Sequence, residues 1–156
     1  MNILIVSQYF WPENFRVNEL VAELVRRGHQ VTVLTGIPNY PDGAVFPDYR
    51  EDPARFATYE GAEVIRAPML PRGQGRLSLI LNFYTFALGA SLWGGWKLRR
   101  RAFDAIFTFE VSPITVGVPS ALLRFLTGAP QAFWVLDLWP ETLKAVGVLK
   151  ADWMLR

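Results

Sequence analysis

Hydrophobic and polar positions divide the start of the chain into strand, helix and strand. Asn2-Ile3-Leu4-Ile5-Val6-Ser7 is a nearly unbroken apolar run of β-branched residues and leucine, the pattern of a strand buried on both faces. Val17, Leu20, Val21, Leu24 and Val25 then recur at helical spacing, with Asn14 as the expected N-cap and Gly28 as the expected stop. Strand character resumes over 30–35. Two strands joined by a helix of this length belong side by side in a parallel sheet, so the chain opens with a βαβ unit whose first strand is central.

The same pattern continues downstream. Residues 36–53 are dense in Pro, Gly, Asn and Asp and predict a long irregular loop with a turn at Pro41-Asp42-Gly43. Alternation over 62–67 predicts a third strand, stopped by Pro68, and 77–98 has helical length. A fourth strand is expected over 105–109, a helix over 114–126 ended by Gly128, and a fifth strand over 131–136, with Asp137 directly after it. This order predicts an α/β fold, a Rossmann-like doubly wound parallel sheet in a single domain. Every loop that follows a strand then lies at one edge, where ligands bind. That edge collects 8–13, 36–43, 68–75, 110–113 and 137–141.

Composition narrows the chemistry. With 156 residues, 51% of them hydrophobic, one core can form. The absence of cysteine excludes disulfides and thiolate metal sites, and a lone histidine, His29, excludes a histidine-rich cluster, so no metal is expected. The N-terminus enters a strand at once, which argues against a secretory signal and for a cytoplasmic location.

Charge is distributed unevenly behind a net value of +2. Between Val64 and Phe103 there is no acidic residue, while Arg66, Arg72, Arg76, Lys97, Arg99, Arg100 and Arg101 supply seven positive charges. Their neighbours are leucines and aromatics rather than polar donors, which disfavours nucleic acid and favours an anionic membrane surface. The twenty uncharged residues 77–96 are long enough, at about 1.5 Å each, to cross a bilayer. A span would place strands one to three and strands four and five on opposite sides and dismantle the sheet. A peripheral helix is expected instead, apolar except for a narrow stripe of Ser78, Asn82, Thr85 and Gly89. Its lipid contacts would be Trp93, Trp96, Lys97, Arg99, Arg100 and Arg101, with Phe83, Tyr84 and Phe86 favouring the headgroup boundary.

Common site motifs are missing. The first turn, Gln8-Tyr9-Phe10-Trp11-Pro12-Glu13, has no glycine-rich fingerprint, and the second strand ends in Thr35-Gly36 rather than an acid for ribose. P-loop and Gly-x-Ser-x-Gly patterns are also absent. Nevertheless Ile3-Leu4-Ile5-Val6, Tyr9-Phe10-Trp11-Pro12-Glu13, the helix of Arg16, Arg27 to Thr35, Pro38-Asn39-Tyr40-Pro41-Asp42-Gly43, Ser112-Pro113 and Asp137-Leu138-Trp139-Pro140-Glu141 occur in an order that resembles the family-4 glycosyltransferases. Within them it resembles the branch of fucosyl- and N-acetylfucosaminyl-transferases of colanic acid and O-antigen synthesis.

The resemblance implies a GT-B enzyme whose first Rossmann-like domain receives the acceptor and whose second holds a nucleotide sugar. Transfer would proceed with retention, without a required metal, and with the nucleotide sugar as co-substrate, in cell-surface polysaccharide synthesis on a lipid-linked glycan. The chain would then be an N-terminal half, inactive alone, with its donor domain absent; that domain or another subunit is the alternative cover for the apolar helix. The competing reading is a non-catalytic, membrane-associated Rossmann-like binding module.

Asp137, where relatives often carry histidine, is the expected catalytic residue. Its carboxylate would hold the acceptor hydroxyl or steady oxocarbenium charge, the alternative being a cap for a helix starting near Glu141. Asn39, Tyr40, Glu110 and Glu141 are the expected acceptor-binding residues, with Tyr40 offering a ring face and a hydroxyl. Asn14 and Arg16 are expected to face phosphate in a turn that lacks the paired glycines of many relatives. His29 belongs to the opposite edge and to structure.

Overall fold

A computed structural model describes residues 1–137. The expected unit is present as β1 (Asn2–Ser7), α1 (Arg16–Arg26) and β2 (Gln30–Thr35). There follow α2 (Pro47–Glu51), β3 (Thr58–Tyr59), β4 (Ala62–Arg66), a long helix, β5 (Ala105–Glu110), α5 (Gly117–Thr127) and β6 (Gln131–Val135). The long helix, Arg76–Leu98, is continuous: α3 (Arg76–Gly89) passes through a π-wound turn, Ala90–Gly94, into α4 (Gly95–Leu98).

The sheet runs β3-β4-β2-β1-β5-β6, parallel except for the β3–β4 pair. Ile3 lies opposite Val31 on one side and Ala105 on the other, so β1 is interior, as its apolar run requires. Alternation along the strands divides the core in two. Leu4, Val6, Leu34, Ile65 and Ile106 face the long helix and α5, meeting Phe86, Ala90, Leu98 and Leu123. Ile3, Ile5, Val31, Val33 and Val64 face α1 through Val17 and Val21. Helices on both faces of a parallel sheet are the doubly wound arrangement. The long helix lies very close to the sheet at Gly94, where a Cβ would fall 2.5 Å from Leu34 Cδ2.

Three local expectations are corrected. Asn14 does not cap α1, because the helix starts at Arg16 with Phe15 in the cap position and no side-chain cap. Asn18 instead ties the helix to the preceding turn, accepting from Trp11 N at 3.0 Å and donating to Glu13 O at 2.7 Å. The irregular stretch after β2 contains α2, which buries no residue and so leaves no apolar periodicity to read. Finally, β3 adds a sixth strand of two residues, too short to show alternation.

Candidate functional site

The loops leaving β1, β2, β4 and β5 meet at the C-terminal edge of the sheet, fastened by buried polar side chains. Glu13 is almost fully buried, and its carboxylate accepts from the backbone N–H groups of Asn39 and Tyr40, both at 2.8 Å, and of Phe10 at 3.1 Å. Burial pushes this carboxyl above its ordinary pKa, against the lowering effect of the three N–H donors and of nearby Arg66. From the end of β4, Arg66 donates to Gly36 O at 2.9 Å and to Trp11 O, and its guanidinium lies over the Tyr49 ring. Desolvation brings Arg66 down to about 10, still charged at neutral pH. Its charge belongs to the loop framework, not to a lipid- or phosphate-facing surface.

The long helix supplies the third fastening. Asn82, fully buried, accepts from Gln8 Nε2 at 2.7 Å and Tyr9 OH at 3.2 Å and donates to Leu70 O at 2.7 Å. Thr85 Oγ1 accepts from Leu70 N at 3.0 Å, and Ser78 Oγ bonds both N and O of Gly75. Gly89 lies under Pro68, whose carbonyl oxygen would be 1.9 Å from an added Cβ. The weakly polar stripe of this helix therefore faces inward, where it satisfies the backbone of the Pro- and Gly-rich loop after β4.

Between these fastened loops is a pocket of about 260 Å³ lined by Tyr9, Phe15, Tyr40, Arg72, Leu79, Phe83, Val111 and Ser112. Tyr9 stacks on Phe15 with ring centres 5.3 Å apart, and Tyr40 is tilted against both. The Arg72 guanidinium lies 5.3 Å from the centre of the Tyr40 ring. Burial pushes the Tyr9 hydroxyl up in pKa, partly offset by the charge of Arg72, so the phenol remains a donor. Flat apolar ring faces beside a fixed cation and hydroxyl groups suit a polyhydroxylated ring, whose C–H face stacks while its hydroxyls hydrogen-bond.

The expected site residues separate into groups. Tyr40 lines the pocket. Asn39 does not: it is fully buried, donates to Ile37 O and accepts from Arg72 N at 2.7 Å, so it positions Arg72 and is corrected from an acceptor contact to a loop support. Asn14 and Arg16 are exposed at the start of α1. Glu110 and Asp137 are neighbours at the ends of β5 and β6, with Glu110 Oε2 3.5 Å from Asp137 N and Glu110 O accepting from Leu136 N at 3.0 Å. Glu141 lies outside the described residues, as does any helix beginning near it. Tyr9, Phe15 and Arg72 are pocket residues that were not singled out as site residues in the sequence, although the aromatic run Tyr9-Phe10-Trp11 with nearby Phe15 is a signal for them. Among the described residues no three His, Asp or Glu side chains converge as a metal site would require.

Glu110 is fully buried, and burial, with a smaller contribution from the charge of Asp137, raises its carboxyl above the ordinary range. The folded state thus binds this proton more tightly than the unfolded state. Stability linked to Glu110 is complete below the ordinary carboxyl pKa and is lost as pH rises through the raised value. Glu110→Gln should remove that slope, leaving the variant at least as stable as the parent at pH 7. Urea unfolding on both sides of this window checks it, and a Gln variant with an unchanged slope would exclude Glu110 as its source.

Comparison with known proteins agrees with this geometry. A family model described as "Glycosyl transferase 4-like domain" matches residues 14–156. Among solved structures, the glycotransferase of kitacinnamycin superposes with TM-score 0.59 at 19% identity, over 93% of this chain and 34% of that one. CalG4, the calicheamicin glycosyltransferase, gives 0.56 at 16% identity, over 99% of this chain and 40% of that one. The chain thus spans well under half of either enzyme. The C-terminal domain of PF1911 hydrogenase from Pyrococcus furiosus also superposes, with TM-score 0.55 at 15% identity over 85% of this chain and 90% of that domain, so these likenesses establish the fold alone. No curated protein matches.

Proposed function

Because the chain belongs to the glycosyl transferase 4-like family, we propose that it is the acceptor-binding domain of a GT-B enzyme that transfers a sugar from a nucleotide sugar to a glycan. The observation that carries this reading is the aromatic pocket at the C-terminal edge, where Tyr9, Phe15, Tyr40 and Phe83 offer ring faces and Arg72 a fixed cation. In the reaction the bond from the anomeric carbon to the nucleotide phosphate breaks and a bond to an acceptor oxygen forms. The acceptor's proton ends on the departing phosphate. Asp137, at the same edge, is the proposed catalytic carboxylate, which would hold the acceptor hydroxyl or steady the positive charge developing at the anomeric carbon. Retention at that carbon and a lipid-linked acceptor in cell-surface polysaccharide assembly are the finer parts of the proposal. The resemblance of the Tyr9–Glu13, Pro38–Gly43 and Asp137–Glu141 stretches supports them.

A division of labour follows. The nucleotide is assigned to a separate donor domain, and the first turn lacks the glycines that bring backbone amides to a phosphate. Calorimetric titration of this chain with nucleotide sugars should give no binding in the micromolar range, whereas glycans should perturb the ring resonances of Tyr9, Tyr40 and Phe83. Micromolar nucleotide-sugar affinity in this chain alone would contradict the assignment.

A further inference from the structure

We propose that the outer faces of the long helix and of α5 form one surface that lies on an anionic phospholipid bilayer, with both helix axes in the membrane plane. The long helix is inverted relative to an ordinary surface helix: Ser78, Asn82 and Thr85 face inward, while Leu77, Tyr84, Leu88, Leu92 and Trp96 stand more than half exposed at helical spacing. On the same face of the sheet α5 exposes Val118 and Phe125, the latter at 85%, and the two helices meet where Gly95 packs on Leu122 and Leu126. An apolar groove of about 270 Å³, lined by Pro68, Gly89, Leu92, Trp93 and Trp96, borders the long helix and has room for the end of an acyl chain.

Charge identifies the occupant. Lys97, Arg99, Arg100 and Arg124 are exposed where the helices end, and Lys97 reaches over the Trp93 ring, 4.9 Å from its centre, as a snorkelling lysine does. Neither helix carries an acidic residue. A second copy docked here would bring the same acid-free surface and offer these cations no carboxylate, whereas headgroup phosphates neutralise them. A domain at the site edge would cover only the first turns of a helix that runs back roughly 35 Å. One residue expected at the headgroup boundary is corrected, because Phe86 is fully buried; Arg101 is exposed and paired with Glu63 through Nη1 and Nη2. A transmembrane course is incompatible with the sheet, because β1 precedes this helix, β5 follows it, and the two strands pair.

The test uses the full chain with vesicles of phosphatidylcholine alone and of phosphatidylcholine mixed with phosphatidylglycerol. Sedimentation with the anionic vesicles, a blue shift of tryptophan emission and weakening by salt are expected. Replacing Lys97, Arg99 and Arg100 by glutamate should weaken binding about 10²-fold, and Leu88→Glu with Leu92→Glu should abolish it, with circular dichroism unchanged because these side chains point outward. Failure to bind anionic vesicles at low salt, or binding indifferent to both sets of changes, overturns the proposal, as does a lipid-independent dimer that the leucine changes dissolve. No sugar takes part in this assay, so its failure leaves the sugar-transfer reading standing.

Discussion

Replacing Glu13 by alanine should lower the unfolding free energy of the domain by about 3 kcal/mol or more, a large part of the stability of a domain this size. The buried side chain accepts from three backbone N–H groups, those of buried Phe10 and Asn39 and of half-buried Tyr40. Alanine leaves the buried donors of Phe10 and Asn39 without a partner, at about 1–3 kcal/mol for each group orphaned, and removes the partner of the part-buried Tyr40 N–H as well. Relief of Glu13's own desolvation, visible in its raised pKa, offsets part of this cost. Glutamine keeps an acceptor oxygen and roughly the same volume, so Glu13→Gln should fall between parent and alanine variant. Denaturant unfolding of the three proteins measures the series, and an alanine variant within about 0.5 kcal/mol of the parent would mean that the loops hold without this clamp. Because Tyr40 hangs from the clamped segment, the alanine variant should lose the ordered pocket as well.

In the proposed two-domain enzyme, Asp137→Asn should lower turnover by roughly 10²-fold, about 3 kcal/mol of transition-state stabilisation. Asparagine preserves size and removes only the charge, so the loss should fall on turnover while the acceptor KM changes little. Asp137 is half-buried at the end of β6, and its backbone N lies 3.5 Å from the carboxylate of buried Glu110 at the end of β5. A folded asparagine variant turning over at the parental rate would remove Asp137 from the chemistry and leave it a structural residue of the β6 end.

Much of this arrangement was legible in the chain because it depends on local pattern. The β-branched runs of β1 and β2 and the alternation of β4 gave strands in the right order, and a parallel sheet then fixed which loops share an edge. The long helix was legible in extent and in its surplus of apolar surface. The polar framework was not, because its bonds join residues far apart in sequence: Glu13 to Asn39, Arg66 to Trp11, Gln8 to Asn82. A polar residue in a site loop reads as a ligand contact, yet Asn39 is consumed by the backbone of neighbouring loops, as buried polar groups must be. A signal did exist for Asn82: a narrow polar stripe on an otherwise apolar helix, following a Pro- and Gly-rich loop whose backbone needs partners. Only the sheet, by deciding which face of the helix turns inward, converts that stripe into a fastening.

The measurement that most directly tests the account is steady-state transfer by the proposed two-domain enzyme with donor and acceptor varied separately, comparing the parent with Tyr40→Ala and Arg72→Ala. If the aromatic pocket holds the acceptor, each change should raise the acceptor KM about tenfold, the worth of one stacked ring or one cation at a ring face, with the donor KM unchanged. A raised donor KM with an unaltered acceptor KM would contradict the account and assign the pocket to the nucleotide sugar.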